Sequence, residues 1–361
     1  MSNKSIYSII AGSGKYIPLQ QKKNCDFLNY RFLNKYGELN PKSNEEILNK
    51  FSEITHIEER RYVKDEYVAS DLGFFAAQDA LNSSGIDKET IDYILVAHNF
   101  GDVKNDNRKS DMVPSLATRI KHKLKIENPD TIAFDIVFGC PGWLQAFIQA
   151  NYLIISGDAK RVLVIGCETL SRISDPHDID SLIYADGAGA IILEGKKSET
   201  PVGFLAHKSR TDTLEYANML YMGKSYNPEL HDDDAIFMKM NGRKLYQYAL
   251  EFVPKTIKEC LDKNNIGIDE IKEIFIHQAN GKMDDAILRE LLLLYNINET
   301  PKNIMPMNIA KHGNSSVATI PTLYDMVAKD EIENHKLNKD DIILFTSVGA
   351  GMNINCIIYK V

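Results

Sequence analysis

Hydrophobic positions along this chain fall into two kinds of run. In 67–84 and 243–264 apolar residues recur every three to four positions, which predicts amphipathic helices. Elsewhere the apolar runs are short and unbroken: "YILVA" (93–97), "AFDIV" (133–137), "RVLVIG" (161–166), "EIFIH" (273–277) and "DIILF" (341–345). Such runs predict strands covered on both faces. The segment "GWLQAFIQANYLIISG" (142–157) is apolar around most of a helical circumference, which predicts a helix in the centre of the molecule.

The pattern repeats. "ALNSSGIDKETIDYILVAHN" (80–99) resembles "CLDKNNIGIDEIKEIFIHQAN" (260–280), with Ile91 matching Ile271 and Val96 matching Ile276 at an offset of 180. A weaker echo links "RVLVIGCETLS" (161–171) with "DIILFTSVGAG" (341–351) at the same offset. A shared offset predicts a duplicated α/β unit, with halves at about 1–195 and 196–361 packed in layers. "PVGFLAHKSRTDTLEY" would open the second half. Residues 100–112 and 222–234 are polar and fit the duplication poorly, as loop insertions would.

Composition narrows the function. With 361 residues, 44% hydrophobic and 25% charged, the chain is ordinary globular protein. A net charge of −8 argues against a nucleic-acid binder, which usually carries a basic face. No apolar run approaches the roughly 18 residues of a membrane span, and the first residues read as a strand and turn rather than a signal peptide. Five scattered cysteines without a C-x-x-C pair fit reduced thiols in a cytoplasm.

One cysteine stands apart. In "DIVFGCPGW" (135–143), Cys140 lies between a strand and the central helix, flanked by Gly139 and Gly142. Pro141 suits the first helical position. A thiol at a helix N-terminus is expected to have a lowered pKa, so Cys140 is the candidate nucleophile. Cys167, Cys260 and Cys356 read as buried structural residues.

A nucleophilic thiol wants an imidazole nearby. His122, His231 and His335 have bland settings, but His277 ends a strand where the first repeat has Ala97, so the second copy has specialised there. Asn314, in "KHGNSSVATIP" (311–321), offers a neutral amide donor suited to a developing oxyanion or enolate. A plain helix cap is the other reading. His312 beside it reads as positional. The turn in "SVGAGMN" (347–353) could aim a backbone N–H into a cavity.

Together these stretches resemble the β-ketoacyl-acyl-carrier-protein synthase III family of thiolase-like condensing enzymes. The similarity runs through "GSGKYIP", "THIEERRYV", "MVPSLATRI", "GCPGW", "YADGAGAIIL", "HQAN" and "KHGNSSVATIP", in the family's order. It implies a five-layer αβαβα fold and a homodimer. It makes Cys140 the acyl-accepting nucleophile and His277 with Asn314 the pair that drives decarboxylation. The backbone N–H groups of Cys140 and of the Gly349–Ala350–Gly351 turn become the oxyanion hole; the middle position of that turn, usually glycine, is Ala350. The implied reaction is a decarboxylating Claisen condensation of an acyl thioester with malonyl-acyl carrier protein, without metal or resident cofactor. Thiolases carry a second cysteine before the last glycine turn, which "FTSVGAG" lacks. Elongating ketosynthases use two histidines, whereas position 314 is asparagine.

Two departures and one match bear on the substrate. The tryptophan and arginine with which family members clamp the CoA adenine are absent from "KSNEEILNKFSEITHIEER" (42–60) before Arg60, so an acyl-carrier protein or another thioester could serve as primer carrier. Val113, in "MVP", stands where a residue reaches across the dimer into the partner's acyl pocket; it is smaller than the usual phenylalanine and predicts a deeper pocket. Lys282 stands where a basic residue receives the carrier's phosphate arm. Other readings are a paralogue of specialised metabolism that joins longer or unusual chains, and a catalytically silent heterodimer partner. Three stretches read as decoys: "GSGK" (12–15) as a turn, "HDDD" (231–234) as a solvated loop, and "ADGAGA" (185–190) as a close-packed turn and strand.

Overall fold

The structure is a computed structural model. It describes residues 4–361, apart from the side chains of 231–233, so the acidic stretch at 231–234 lies largely outside the described residues. Two sheets organise the chain. The first has the order Ser5–Tyr16, Asp186–Ser198, Arg161–Thr169, Tyr93–Ala97, Ile132–Ile136. The second has the order Gly203–Thr211, Asn353–Lys360, Ile342–Gly349, Ile271–Ile276. Reading along these orders, both sheets run antiparallel, antiparallel, then parallel. The first adds one more parallel strand at its edge.

Helices fill the space between and outside the sheets, giving the thiolase-like αβαβα arrangement. Gly142–Ile155 and Thr319–Ala328 lie in the middle layer, where Trp143, Phe147 and Leu323 meet Val164 and Leu193 of one sheet and Phe345 and Tyr359 of the other. Ala69–Ser84 and Leu116–Leu124 cover the outer face of the first sheet. Gly242–Lys263 and Gly281–Leu293 cover that of the second. Among the described residues no helix is long and apolar enough to cross a membrane.

Side-chain direction tests the register of the repeat, because successive strand residues face opposite sides. Leu95 and Phe275 both point to the middle layer, and Ile94 and Ile274 both point outward, as an offset of 180 requires. The second pair differs. Val162 and Val164 face the middle, but so do Ile343 and Phe345, while Leu163 and Leu344 face outward. The offset there is odd, and a one-residue slip would turn every side chain to the wrong layer.

Two local expectations are corrected. Ile132–Ile136 is not covered on both faces: it is an edge strand, and Ile132 and Phe134 are 48% and 39% exposed. "GSGK" is not a turn but lies inside the first strand; a Cβ on Gly14 would come within 2.3 Å of the Ala80 nitrogen, so the glycines admit the helix Ala69–Ser84. The two polar insertions are anchored to the body of the fold. In 100–112, the buried Asp102 accepts from the N–H and hydroxyl of Ser70 and pairs with Arg119. In 222–234, Ser225 and Tyr226 donate to Asp175, which with Asp178 also holds the buried ammonium of Lys239.

Candidate active site

The nucleophile turn follows the edge strand. Gly139 adopts φ +66, a left-handed conformation that favours glycine, and its carbonyl accepts from Gly142 N–H at 2.9 Å. Pro141 is the N-cap rather than the first helical residue expected of it, and the helix begins at Gly142. This turn packs backbone to backbone against the Gly349–Ala350–Gly351 turn. A Cβ on Gly349 would lie 2.5 Å from the Cys140 nitrogen, and one on Gly139 would lie 2.7 Å from the Ala350 nitrogen. The small residues in both motifs therefore bring the Cys140 and Ala350 amides together, one from each sheet's turn.

The thiol itself departs from the sequence reading. A helix N-terminus alone predicts a lowered pKa, but burial pushes Cys140 up to about 11, against the opposing pull of the Ser316 hydroxyl, which donates to Sγ at 3.4 Å. Loss of water is the largest influence and disfavours the thiolate, and the nearby Glu168 carboxyl adds to it.

His277 sits one residue beyond the strand Ile271–Ile276, and its N–H donates to the Thr346 carbonyl at 2.9 Å. Burial lowers its pKa to about 4, which keeps the imidazole neutral, and Nδ1 has no hydrogen-bond partner among the described residues. The rest of "HQAN" does structural work. Gln278 donates to Pro306 O and accepts from the N–H groups of Asn308 and Ile309, while Asn280 caps the helix Gly281–Leu293 through Met283 N–H.

Asn314 is held from both sides by backbone. Its N–H donates to Ile183 O at 2.9 Å and its carbonyl accepts from Ala185 N–H at 2.8 Å. Its side-chain Oδ1 accepts from Ser316 N–H at 2.8 Å. It is not a helix cap; Ser315 takes that place before the short turn Ser316–Ala318.

Cys140, His277 and Asn314 line one small cavity of about 40 Å³. It shares Ile183, Met240, Leu245, Ala279 and Met283 with an outer cavity of about 520 Å³ whose walls include Lys42, Lys50, Asp180 and Tyr246. It shares Cys140, Leu220, Met238 and Ser316 with a second cavity of about 330 Å³, lined further by Phe100, Val137 and Ala350. The three chemistry-bearing side chains thus stand at a neck between two larger spaces. Val113 is 87% exposed and lines neither. Lys282 is half-exposed beside the outer cavity's Met283, with Nζ 3.3 Å from Glu53, while the nearby Lys50 lines the cavity itself. Among the described residues no group of three His, Cys, Asp or Glu could hold a metal ion.

Sequence reasoning missed several residues. Glu168, fully buried, accepts from the N–H and side-chain amide of Asn99, and burial raises its pKa to about 7. The same Asn99 amide reaches the Ser316 hydroxyl at 3.2 Å. A glutamate inside the apolar run "RVLVIGCETLS" was the available signal. His98, one residue after Ala97, pairs with Asp135 at 2.9 Å, so the first repeat also carries a histidine, shifted by one and tied to a carboxylate. His335, read as bland, pairs with the buried Glu273 at 2.8 Å.

Comparison with known proteins identifies the family. The family described as 3-oxoacyl-[acyl-carrier-protein (ACP)] synthase III matches residues 134–213, and its C-terminal counterpart matches residues 261–361. The chain is 32% identical over 347 residues to the beta-ketoacyl-[acyl-carrier-protein] synthase III 1 of Vibrio vulnificus (strain YJ016), covering 96% of this chain and 97% of that protein. It is 34% identical over 301 residues to beta-ketoacyl-[acyl-carrier-protein] synthase III of Ehrlichia ruminantium (strain Gardel), covering 82% and 86%. The crystal structure of 3-oxoacyl-[acyl-carrier-protein] synthase III from Aquifex aeolicus VF5 superposes with TM-score 0.79 at 28% identity, covering 98% of this chain and all of that one. A priming β-ketosynthase from the R1128 polyketide pathway shares the fold, with TM-score 0.80 at 21% identity. The chain belongs to the 3-oxoacyl-[acyl-carrier-protein] synthase III family of acyltransferases, the ketoacyl synthases of fatty acid biosynthesis.

Proposed function

We propose that Cys140, His277 and Asn314 carry out the decarboxylating condensation of an acyl thioester with malonyl-acyl carrier protein. The observation that carries this reading is their convergence on one neck between two cavities. In the first half-reaction the Cys140 sulfur attacks the acyl thioester carbonyl. The carrier thiol leaves with the proton that Cys140 gives up, and the Cys140 and Ala350 amides hold the tetrahedral oxyanion. In the second, the malonyl thioester carbonyl takes hydrogen bonds from neutral His277 and from Nδ2 of Asn314. Carbon dioxide departs, its bonding electrons pass into the enolate, and that carbon attacks the acyl-Cys140 thioester. The Cys140 thiolate is released and takes one proton from water, which restores the thiol. Neither metal nor resident cofactor enters these steps.

The larger outer cavity, with Lys42, Lys50 and the neighbouring Lys282, suits the phosphopantetheine arm of an acyl carrier protein. The cavity beside Phe100 and Val137 suits the acyl chain. The exposed apolar residues Met112, Val113, Ile132, Phe134 and Val137 favour a homodimer that covers the edge strand, with Val113 reaching the partner's acyl cavity. We read 1–195 and 196–361 as duplicated halves, since four strands of each sheet share order and sense. Five unpaired cysteines favour a reducing cytoplasm. The test is incubation with a panel of acyl-CoA and acyl-carrier thioesters followed by intact mass. A single acyl adduct is expected on the wild type and none on Cys140→Ala. No adduct from any donor would favour a silent heterodimer partner.

A further inference from the structure

Among the described residues the Cys140 thiol has one side-chain hydrogen-bond partner, the hydroxyl of Ser316. The direction of that bond is set by what lies behind it. Glu168 is buried and its Oε2 accepts from both the backbone N–H and the Nδ2 of Asn99, at 3.0 and 2.9 Å. A reversed Asn99 amide would set oxygen against the carboxyl, so Glu168 fixes which end is nitrogen. The second hydrogen on Nδ2 then points to Ser316 Oγ at 3.2 Å. An amide nitrogen only donates, so the hydroxyl accepts there and its own hydrogen is left for sulfur. Ser316 is held in place for this. It adopts φ +54, unusual for a residue with a side chain, and its N–H is committed to Asn314. Strained backbone of this kind persists where the surroundings over-determine it, and it clusters at functional sites.

We infer that Ser316 is a further catalytic residue, which donates to the Cys140 sulfur as it ionises, and that Asn99 and Glu168 are positioning residues that point its hydroxyl. The chain runs Glu168, Asn99, Ser316, Cys140, with every hydrogen directed toward or away from the sulfur in a fixed sense. No proton crosses the Asn99 amide; the chain only orients. Its effect is to stabilise the thiolate in a place where burial disfavours it. The ionisable groups that face the thiol are Glu168, His277 and Tyr184, and a charge on Glu168 acts against the thiolate. Two opposing effects therefore meet at Glu168: its hydrogen bonds aim a donor, and its charge repels. This rests on Cys140 being the nucleophile, but it concerns the thiol and not the turnover.

The test is the pH profile of alkylation of Cys140 by iodoacetamide, read from the Cys140 peptide by mass spectrometry. Ser316→Gly suits the left-handed backbone and removes the hydroxyl. Its profile is expected to move up by about one pH unit, a tenfold loss of thiolate at a fixed pH below the midpoint. Asn99→Asp keeps the shape of the side chain but turns the donor into an acceptor, so the Ser316 hydrogen swings away from sulfur and the profile again moves up. Glu168→Gln keeps an acceptor for Asn99 and removes the charge, so its profile is expected to move down. Opposite shifts from neighbouring isosteric changes do not arise from loosened folding. Wild-type profiles for both Ser316→Gly and Asn99→Asp would overturn the inference. So would an upward shift for Glu168→Gln equal to theirs, which would mark a structural role alone. Loss of adduct formation from acyl thioesters with an unchanged alkylation profile would count against the proposed function instead.

Discussion

The backbone N–H of Ser316 donates to Oδ1 of Asn314 at 2.8 Å, and this bond decides which end of the asparagine amide is free. With the oxygen engaged, Nδ2 is left as a donor in the cavity that Cys140 and His277 share.

Asn314→Asp keeps an oxygen for Ser316 and replaces the free donor by a second oxygen. Formation of acyl-Cys140 should survive, while release of CO2 from malonyl-acyl carrier protein should fall by about 10² to 10³, the usual cost of one oxyanion donor. His277→Ala should divide the two half-reactions the same way. Equal losses in acylation and decarboxylation would contradict the assignment of these residues.

Gly349→Ala puts a Cβ 2.5 Å from the Cys140 nitrogen. The contacting atom is backbone, so the two turns must part. Acylation should drop by about 10² or more, and condensation with it, because the attack of the enolate on acyl-Cys140 passes through a second tetrahedral oxyanion at the same pair of amides. A crystal structure of the variant would show the Cys140 and Ala350 turns separated.

Chain-length selection is testable at Val113. The wild type should form an octanoyl adduct on Cys140 at a rate within about tenfold of the acetyl adduct, whereas Val113→Phe should favour acetyl, by the roughly 1–3 kcal/mol that filling an apolar pocket is worth. Strict acetyl preference in the wild type would remove the premise.

His277 gives stability a pH dependence. Its folded pKa is lowered from 6.5 to about 4 by burial, so the unfolded chain binds a proton there that the folded chain does not. Its contribution is therefore present above about pH 6.5 and is lost as pH falls toward 4, by about 3 kcal/mol in all. Urea unfolding of His277→Phe should show a shallower loss of stability across that window than the wild type.

Lys239 is buried between Asp175 and Asp178, at 2.6 and 2.9 Å. Lys239→Met leaves two carboxylates in the interior without their cation and should destabilise by about 3–5 kcal/mol. The triple change with Asp175→Asn and Asp178→Asn should recover much of that loss in thermal unfolding.

What the sequence disclosed depended on how local each feature is. The nucleophile turn is written in nine consecutive residues, where a strand, two glycines and a helix leave few other conformations for Cys140. His277 stood out because the repeat offered Ala97 for comparison. Asn99, Glu168 and Ser316 could not be found that way. They lie 69 and 217 residues apart along the chain and meet only because sheet order brings them together. The same holds for Asp175, which meets Lys239 and the polar insertion's Tyr226 only in the folded chain. The raised thiol pKa was also out of reach, since helix position is a local property and loss of water is a property of the whole fold. The odd offset between Val164 and Phe345 was hidden because both strands are apolar at every position, so a slip by one leaves no mark on the text.

Val137 both lines the cavity beside Cys140 and is 57% exposed, immediately after the edge strand. Whatever protein surface covers that strand also becomes the far wall of the acyl cavity. In the proposed homodimer, assembly and substrate choice would then be a single trait: a change that loosened the pairing of subunits would also alter which chains are accepted, and selection on one could not proceed without moving the other.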